Sequence, residues 1–449
     1  MIVMKFGGTS VESSTAIERV AGIVRDHLDR RPVVVVSAMG KTTNKLLAMA
    51  QAAVEGGREF ALATCDELHK LHQRESAGLG VSAEVDRHFE ELAELLKGLS
   101  VMGEMTPRAT DAVSAFGERL SSIIVTAKFR ALEIDAIHID SRSVIVTDRR
   151  HTQAAPNFTE TYQRLAGTVA TLAPKKVIVM GGFIASTEDG VTSTLGRGGS
   201  DYTASIVGAG IGADEIQIWT DVDGMLTADP TIMKDSFRVR RCSFAEAAEL
   251  AYFGAKILHP ATMLPAIEKN IPVRILNSRR PQVEGTLITK QAPASSTPIR
   301  SIACKRNITL VNIVSTRMLM AHGFLRRIFE VFDRYETSVD MLATSEVSVS
   351  LTIDSLSKIE SIRGEIEQFA DMTVQENQAI VCMVGENIRT ASGVAARAFT
   401  ALRDVKVRMI SEGASQLNIS LVVAEEDLIS AVESLHRAFF ASPDPEAFA

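Results

Sequence analysis

Four consecutive valines, Val33–Val36, run straight into the turn Ser37-Ala38-Met39-Gly40. A strand with no polar residue on either face has to be covered on both, as in a parallel sheet sandwiched between helices. The form recurs along the first part of the chain. Ile2–Phe6 ends in Gly7-Gly8-Thr9-Ser10, Val177–Ala185 carries Gly181-Gly182, and Glu215–Trp219 ends in Thr220-Asp221. Ile17, Val20, Val24 and Leu28 fall at helical spacing after the first strand. Residues Glu59 to Leu99 read as helical throughout, and Ser243-Phe244-Ala245-Glu246 is a capping-box pattern that opens another helix. Asn270-Ile271-Pro272 ends a helical stretch before the strand-like Pro272–Leu276. Alternating strands and helices of this kind predict an α/β fold, a three-layer αβα sandwich over residues 1–290.

Composition then changes. The stretch 289–300, TKQAPASSTPIR, has two prolines and a Ser/Thr cluster and reads as a linker. Beyond it the chain repeats itself at an offset of 70 residues. Gly323, Phe329, Phe332, Val339, Ser345, Val349 and Leu351 match Gly393, Phe399, Leu402, Met409, Ser415, Ile419 and Leu421. Each copy reads as a ferredoxin-like βαββαβ unit. The expected division is 291–304 for linker or first regulatory strand, 305–375 for one copy and 376–449 for the other. Two small domains that serve only dimer contacts would fit the repeat as well.

With 48 basic and 55 acidic residues the net charge is −7, which carries no nucleic-acid footprint. The four cysteines, Cys65, Cys242, Cys304 and Cys382, lie far apart without a CxxC pair, which speaks against a zinc site and suits a reducing cytoplasm. The first apolar run is broken by Lys5 and two glycines, unlike a signal peptide, and no run approaches a membrane span of about 20 residues. The expectation is a cytoplasmic globular protein without membrane or nucleic-acid partners.

Several motifs are candidates for chemistry. Gly40-Lys41-Thr42 looks like the end of a P-loop, but the glycine required five positions earlier is Val35, inside the strand, so that loop cannot form. Asp221–Gly224 opens like a calcium loop and lacks the later ligands, which leaves a turn. In MKFGGTS, Gly7 and Gly8 let backbone N–H groups turn toward an anion that Lys5 can also reach, although an ordinary strand-to-helix turn has the same appearance. In TLGRGGSDYTAS, glycines surround Arg197, a guanidinium suited to a carboxylate, and Asp201 stands near a helix start where it could equally be a cap. Glu118 in FGERLSS lies in a largely apolar helix, either surface or site. WTDVDGMLTADP follows a strand and would make a lip for a nucleotide. Lys256 in FGAKILHP stands among apolar neighbours and needs a partner, which a phosphate would supply.

KFGGTS, SAMGKTTN, FGERLS, TLGRGGSDYTA, WTDVDGMLTADP and FGAKILHPATMLPA occur in this order, and together they resemble the signature blocks of the aspartate kinase family within the amino-acid kinase superfamily. The tandem repeat is similar to that family's paired ACT regulatory domains. The resemblance covers essentially the whole chain. It implies ATP-dependent phosphorylation of the side-chain carboxylate of L-aspartate to 4-phospho-L-aspartate, on the route to lysine, threonine and methionine. It implies that Lys5 and Asp201 are catalytic, that Lys5, Phe6, Gly7, Gly8, Thr220, Asp221 and Lys256 contact the nucleotide, and that Mg²⁺ is bound through the nucleotide with no metal site of the protein's own. Thr43, Glu118, Arg197, Gly198, Gly199 and Ser200 would contact aspartate, Glu118 through its ammonium and Arg197 through its carboxylate. A carboxylate is already ionised at neutral pH, so the reaction needs no general base; it needs cations and amides that let two anions meet.

Leu226 and Thr231 depart from the tyrosine and arginine usual in lysine-sensitive relatives, both on the nucleotide side. The regulatory half resembles the lysine-sensitive form. By that match Met318, Gly323, Phe324, Leu325, Ser338, Asp340, Thr344, Ser345 and Glu346 line the effector pocket, with Asp340 and Glu346 toward the ammonium groups of L-lysine; solvated loop acids would read the same. The paired ACT copies imply a homo-oligomer, dimer or tetramer. With Ala449 last, no dinucleotide-binding unit follows the repeat, and the expectation is a monofunctional enzyme without a fused homoserine dehydrogenase. Another amino-acid kinase, acting on glutamate, acetylglutamate, carbamate or a nucleotide, is the nearest alternative; a non-catalytic amino-acid sensor built on the ACT pair is the other.

Overall fold

The computed structural model describes all residues except 174, 255–259, 294, 317–321, 387, 389, 390 and 414. The expectations for Lys256 and Met318 lie outside the described residues. The chain divides into two compact units, one of Met1–Met225 with Leu258–Lys290, the other of Leu226–Ile257 with Gln291–Ala449. Residues 226–257, which the sequence reading assigns to the 1–290 block, pack within the second unit. A buried pair that no linear pattern displays holds them there: Glu246 accepts from Arg300 Nε at 3.3 Å and from the Glu386 N–H at 2.9 Å.

In the first unit the strands run in the order Ala136–Ile139, Val177–Gly181, Pro32–Val36, Ile2–Phe6, Glu215–Thr220, Val273–Asn277, Thr286–Thr289. All neighbours are parallel except the last pair. Val33–Val36 are fully buried at the centre, as two covered faces require, and each such side chain contributes about 1.5–3 kcal/mol of burial. The helices begin where side chains cap them. Ser13 accepts from the Ala16 N–H ahead of Ser14–Arg25. The expected capping box of Ser243 and Glu246 is present at the start of Phe244–Tyr252.

One sequence expectation is corrected and another is extended. The stretch Glu59–Leu99 is two helices, Arg58–Glu75 and Ser82–Met102, because Gly78 and Gly80 between them take φ of +76° and +74°. The run Val177–Ala185 is the expected strand and glycine turn, with a change of sheet added. It leaves the main sheet after Gly181, passes through Phe183 at φ +65°, and resumes as Ile184–Thr187 in a small sheet with Val146–Thr147 and Thr192–Thr194.

The second unit contains the expected βαββαβ pair with one change of connectivity. Its sheet runs Leu342–Thr344, Ser348–Ile353, Ser301–Val314, Asp371–Val384, Asn418–Ala424, Met409–Glu412. The two long central strands serve both copies. Residues 309–314 and 371–375 belong with the strands of the first copy, whereas 301–305 pair with 380–384 and complete the second. The second copy therefore takes its last strand from in front of the first. Asn307 and Asn377, one repeat offset apart, adopt φ of +57° and +54° where the register shifts. Gly323 and Gly393, another such pair, are left-handed N-caps of the helices Phe324–Arg334 and Val394–Ala401.

Candidate active site

Two glycine turns of the first unit lie against each other. A Cβ on Gly8 would stand 2.7 Å from the Gly40 carbonyl oxygen and 2.9 Å from that of Ala38, so the KFGG and SAMG turns can pack only with glycine at this position. The Gly40 N–H donates to the Gly8 carbonyl at 3.0 Å, and the Gly7 N–H to that of Trp219 at 3.1 Å. Phe6 stacks on Trp219 at 5.9 Å beneath them. This places the ends of three neighbouring strands, with Lys5, Ser37 and Thr220, along one edge of the sheet.

A cavity of about 290 Å³ opens at that edge, lined by Lys5, Ser37, Thr43, Glu118, Phe183, Gly196, Gly198, Gly199, Ser200 and Asp201. Gly198, at φ +73°, is the N-cap of the helix Gly199–Ile211, so the positive end of that helix faces the space. Asp201 in its first turn lies 2.6 Å from Lys5 Nζ, with 11% of the lysine and 15% of the aspartate side chain exposed. Ammonium, helix terminus and glycine amides make a lining suited to phosphate oxygens, with Asp201 fixing the ammonium.

Glu118 lies in the first turn of Phe116–Ala131 and is almost fully buried. Its Oε1 accepts the Ala38 N–H at 3.1 Å, while Oε2 is buried and among the described residues has no hydrogen-bond partner. Burial pushes its carboxyl up to about 8, against the opposing influence of the Ala38 N–H and the Lys5 charge. A buried acid with one oxygen unused is poised to receive a cation.

The structure thus brings Lys5, Thr43, Glu118, Gly198, Gly199, Ser200 and Asp201 into one cavity. Arg197 stands exposed at the turn before the helix and is not part of the lining. Phe6, Gly7 and Gly8 support the floor from the strand end and the turn after it. Thr220 is half-buried and Asp221 exposed at the end of their strand, joined by a 3.2 Å side-chain bond. The neighbouring Asp223 is held by Asn277 Nδ2 at 2.7 Å and by Arg280, so Asp221–Gly224 is the expected turn. Within the second unit the Leu226 carbonyl accepts from Ser301, and Thr231 closes a local turn on Asp229.

Sequence reasoning missed Phe183 and Gly196 as lining residues. The signal was present in Gly181-Gly182 after a strand. A Cβ on Gly182 would lie 2.6 Å from that of Ser200, so these glycines admit the helix start. Also missed was fully buried Asp111. It accepts from Thr194 Oγ1 at 2.5 Å, His151 Nδ1 at 2.7 Å and the Thr152 N–H at 3.0 Å, tying down the strand that leads into the glycine loop. A second cavity of about 310 Å³, lined in part by Arg119, Arg142, His88, His138 and Asp140, lies beyond the same helix. Its arginines are already paired, Arg119 with Glu91 at 2.9 Å and Arg142 with Asp140 at 2.6 Å.

In the second unit Gly323 precedes its helix, Phe324 packs edge-on against Phe369 at 5.7 Å, and Leu325 and Ser338 are exposed. Thr344, Ser345 and Glu346 sit exposed at the hairpin before Ser348–Ile353, where Ser345 and Ser348 hydroxyls bond at 2.6 Å. Asp340 is engaged by Lys305 at 2.9 Å and by the Tyr252 hydroxyl at 3.1 Å.

Comparison with known proteins gives a consistent result. Residues 1–277 match the model of the amino acid kinase family, and residues 381–439 that of an ACT domain. The chain is similar to chloroplastic aspartokinase 2 of Arabidopsis thaliana, 39% identical over 98% of this chain and 84% of that protein. It is 35% identical to lysine-sensitive aspartokinase 3 of Escherichia coli over 98% of this chain and 99% of that one. Solved structures of E. coli aspartokinase III, with lysine and aspartate and with aspartate and ADP, match at TM-scores of 0.84 and 0.83. Their identities are 35% and 34%, with 98% of this chain covered in each case and 99% and 100% of theirs.

Proposed function

The chain belongs to the aspartokinases of the amino acid kinase family, and from that premise we infer that it transfers the γ-phosphoryl group of ATP to the side-chain carboxylate of L-aspartate. One observation carries the reading: a Lys5–Asp201 pair at a helix N-terminus shares a cavity with a buried, half-satisfied Glu118. A cationic wall and a buried acid acceptor suit a substrate with two anions and one ammonium.

Aspartate enters with its ammonium toward Glu118 Oε2, which ionises the glutamate. Arg197, free to swing in from the turn, takes the α-carboxylate, and Thr43 and Ser200 flank the chain of the substrate. The side-chain carboxylate then faces the phosphates held by Lys5, the turn at Gly7-Gly8 and the N–H groups of Ser200 and Asp201, that of Gly199 being taken by the Gly196 carbonyl at 3.0 Å. Thr220 and Asp221 bound the nucleotide side, a set to which Lys256 belongs by resemblance alone. Mg²⁺ bound to the triphosphate would supply further positive charge there, and Asp201, paired with Lys5 at 2.6 Å, would keep the ammonium in place beside it. The carboxylate oxygen attacks phosphorus as the bond to the ADP oxygen breaks, and no proton moves. Lys5 and the amides stabilise charge that grows between the anions, the kind of contact worth about 10²–10³ in rate.

L-Lysine is the effector in this reading, held by Gly323, Phe324, Leu325, Ser338, Asp340, Thr344, Ser345 and Glu346, with Met318 completing the set by resemblance. Of the expected 1–290 catalytic block, 226–257 pack with the second unit; 291–304 form the link, whose residues 301–304 help complete the second ACT copy, and 305–375 and 376–449 carry the two copies. Self-association runs through the edge strands Leu342–Thr344 and Met409–Glu412, where Leu342 and Ile410 are exposed. Among the described residues no helix is long and apolar enough to cross a membrane. The cytoplasm suits four cysteines that remain free thiols.

The test is ADP release from Mg-ATP with a panel of acids. Turnover with aspartate and not with glutamate or acetylglutamate is expected. Lysine binding without aspartate-dependent ADP release would make the chain a sensor instead.

A further inference from the structure

Lys305 stands near the end of the strand segment that completes the second ACT copy, yet its side chain reaches into the first. Its Nζ lies 2.9 Å from Asp340 Oδ2 and 2.7 Å from Asp354 Oδ2, and 5.7 Å from the centroid of the Tyr252 ring. The Tyr252 hydroxyl donates to the other Asp340 oxygen at 3.1 Å. The Asp340 side chain is 7% exposed, so its two oxygens are saturated by the chain itself. Burial opposes the charge on Lys305, but Asp354 and Asp340 outweigh it and hold the ammonium above its ordinary range. The spot where a basic effector would place a cation therefore already contains one.

Tyr252 ends the helix Phe244–Tyr252, four residues before Lys256. One turn earlier on this helix, Glu249 accepts from Ser415 Oγ at 2.7 Å and Asn418 Nδ2 at 2.6 Å. Those residues stand one repeat offset from Ser345 and Ser348. A single short helix thus grips the second copy through a carboxylate and the first copy through a phenol, and only the phenol ends on a group, Asp340, that an effector could compete for.

We propose that Lys305 is an internal competitor for the effector's ammonium and that Tyr252, through its bond to Asp340, carries the displacement into the helix Phe244–Tyr252. Binding moves the Lys305 ammonium from Asp340 toward Asp354, whose side chain is 55% exposed and can keep it paired. The Tyr252 hydroxyl then shares Asp340 with an external cation rather than a tethered one. This inference rests on the reading of L-lysine as effector.

Calorimetric titration of the full chain with L-lysine, alongside inhibition assays, tests it. Lys305→Met should tighten lysine binding by about tenfold, because the competing cation is gone, whereas Asp354→Asn should weaken it by about threefold, because the displaced ammonium loses its landing place. Tyr252→Phe should leave the lysine dissociation constant within about twofold yet raise the half-inhibitory concentration by about fivefold or more. Unchanged or weaker binding in Lys305→Met together with unchanged binding in Asp354→Asn overturns the competitor role. Inhibition that tracks binding in Tyr252→Phe overturns the reporter role. If the unaltered chain takes up no lysine, it is the effector reading that falls.

Discussion

The two units each contain a lysine–aspartate pair at ion-pair distance, Lys5–Asp201 at 2.6 Å and Lys305–Asp340 at 2.9 Å, and both pairs are largely shielded from solvent. Their surroundings set them to opposite tasks. Around Lys5 the other groups are a helix N-terminus and Glu118, whose carboxyl is pushed up to about 8 by burial and so held largely uncharged, and the local field stays positive and favours an incoming phosphate. Around Lys305 the remaining partner is a second carboxylate, Asp354, so the field is negative and the lysine itself satisfies it. A pair of opposite charges has no function of its own; the third group decides whether the site waits for an anion or for a cation.

The largest effect should come from breaking the first pair. Lys5→Met should lower kcat by about 10²–10³ with a smaller change in either KM, since the charge matters most where the anions meet. Steady-state kinetics check this, and a pure KM effect would make Lys5 a binding group only.

Glu118 sharpens the contrast through pH. Its folded value of about 8 lies above the ordinary 4.5 because burial disfavours the carboxylate. Aspartate binds the ionised form, so below pH ~8 a proton has to leave first. The aspartate KM should fall about tenfold per unit between pH 6 and 8 and level off above, and Glu118→Gln should flatten that profile. Arg197→Ala should come next. It should raise the aspartate KM by about tenfold and that for ATP far less, the loss of one charge-assisted bidentate contact; equal changes in both would remove it from the substrate site. In the other unit Glu346→Ala should raise the half-inhibitory lysine concentration by about tenfold if it adds a second carboxylate to the effector's cationic end; unchanged inhibition would return Glu346 to an ordinary exposed loop.

The smallest effect concerns stability. A raised carboxyl value favours the folded state only while the acid is protonated. The contribution is complete below pH ~4.5 and is lost as pH rises through ~8. Glu118→Gln should therefore melt above the unaltered protein at pH 8–9, by about 2–4 °C, with the gap closing toward pH 5. A constant gap would mean that the gain is one of packing.

Much of this was legible in residues whose meaning is local. Four buried valines demand a covered sheet, Ser243 and Glu246 announce a helix start, and the glycines at 323 and 393 announce two helix caps an equal distance apart. The signature blocks likewise pointed to Lys5, Glu118 and Asp201. The helix break at 76–81 was written in Gly78 and Gly80 and was overridden by the apolar periodicity around them. Gly181-Gly182 marked a turn before Phe183 but not its outcome, and Asp111 was out of reach. Nothing near Phe183 in sequence shows that a strand leaves one sheet for another, and Asp111 acquires meaning only through Thr194, His151 and Thr152.

The order of strand, turn and helix follows from the chain alone, because hydrophobic period, caps and glycines act over a few neighbouring residues. So does the existence of a repeated regulatory module. Which copy owns residues 301–305, why 226–257 fold with the second unit, and which carboxylates flank each lysine were decided by tertiary structure. Long-range strand pairing, burial and electrostatic fields depend on groups far apart in the chain, and their energies exist only once folding has brought them within a few ångströms.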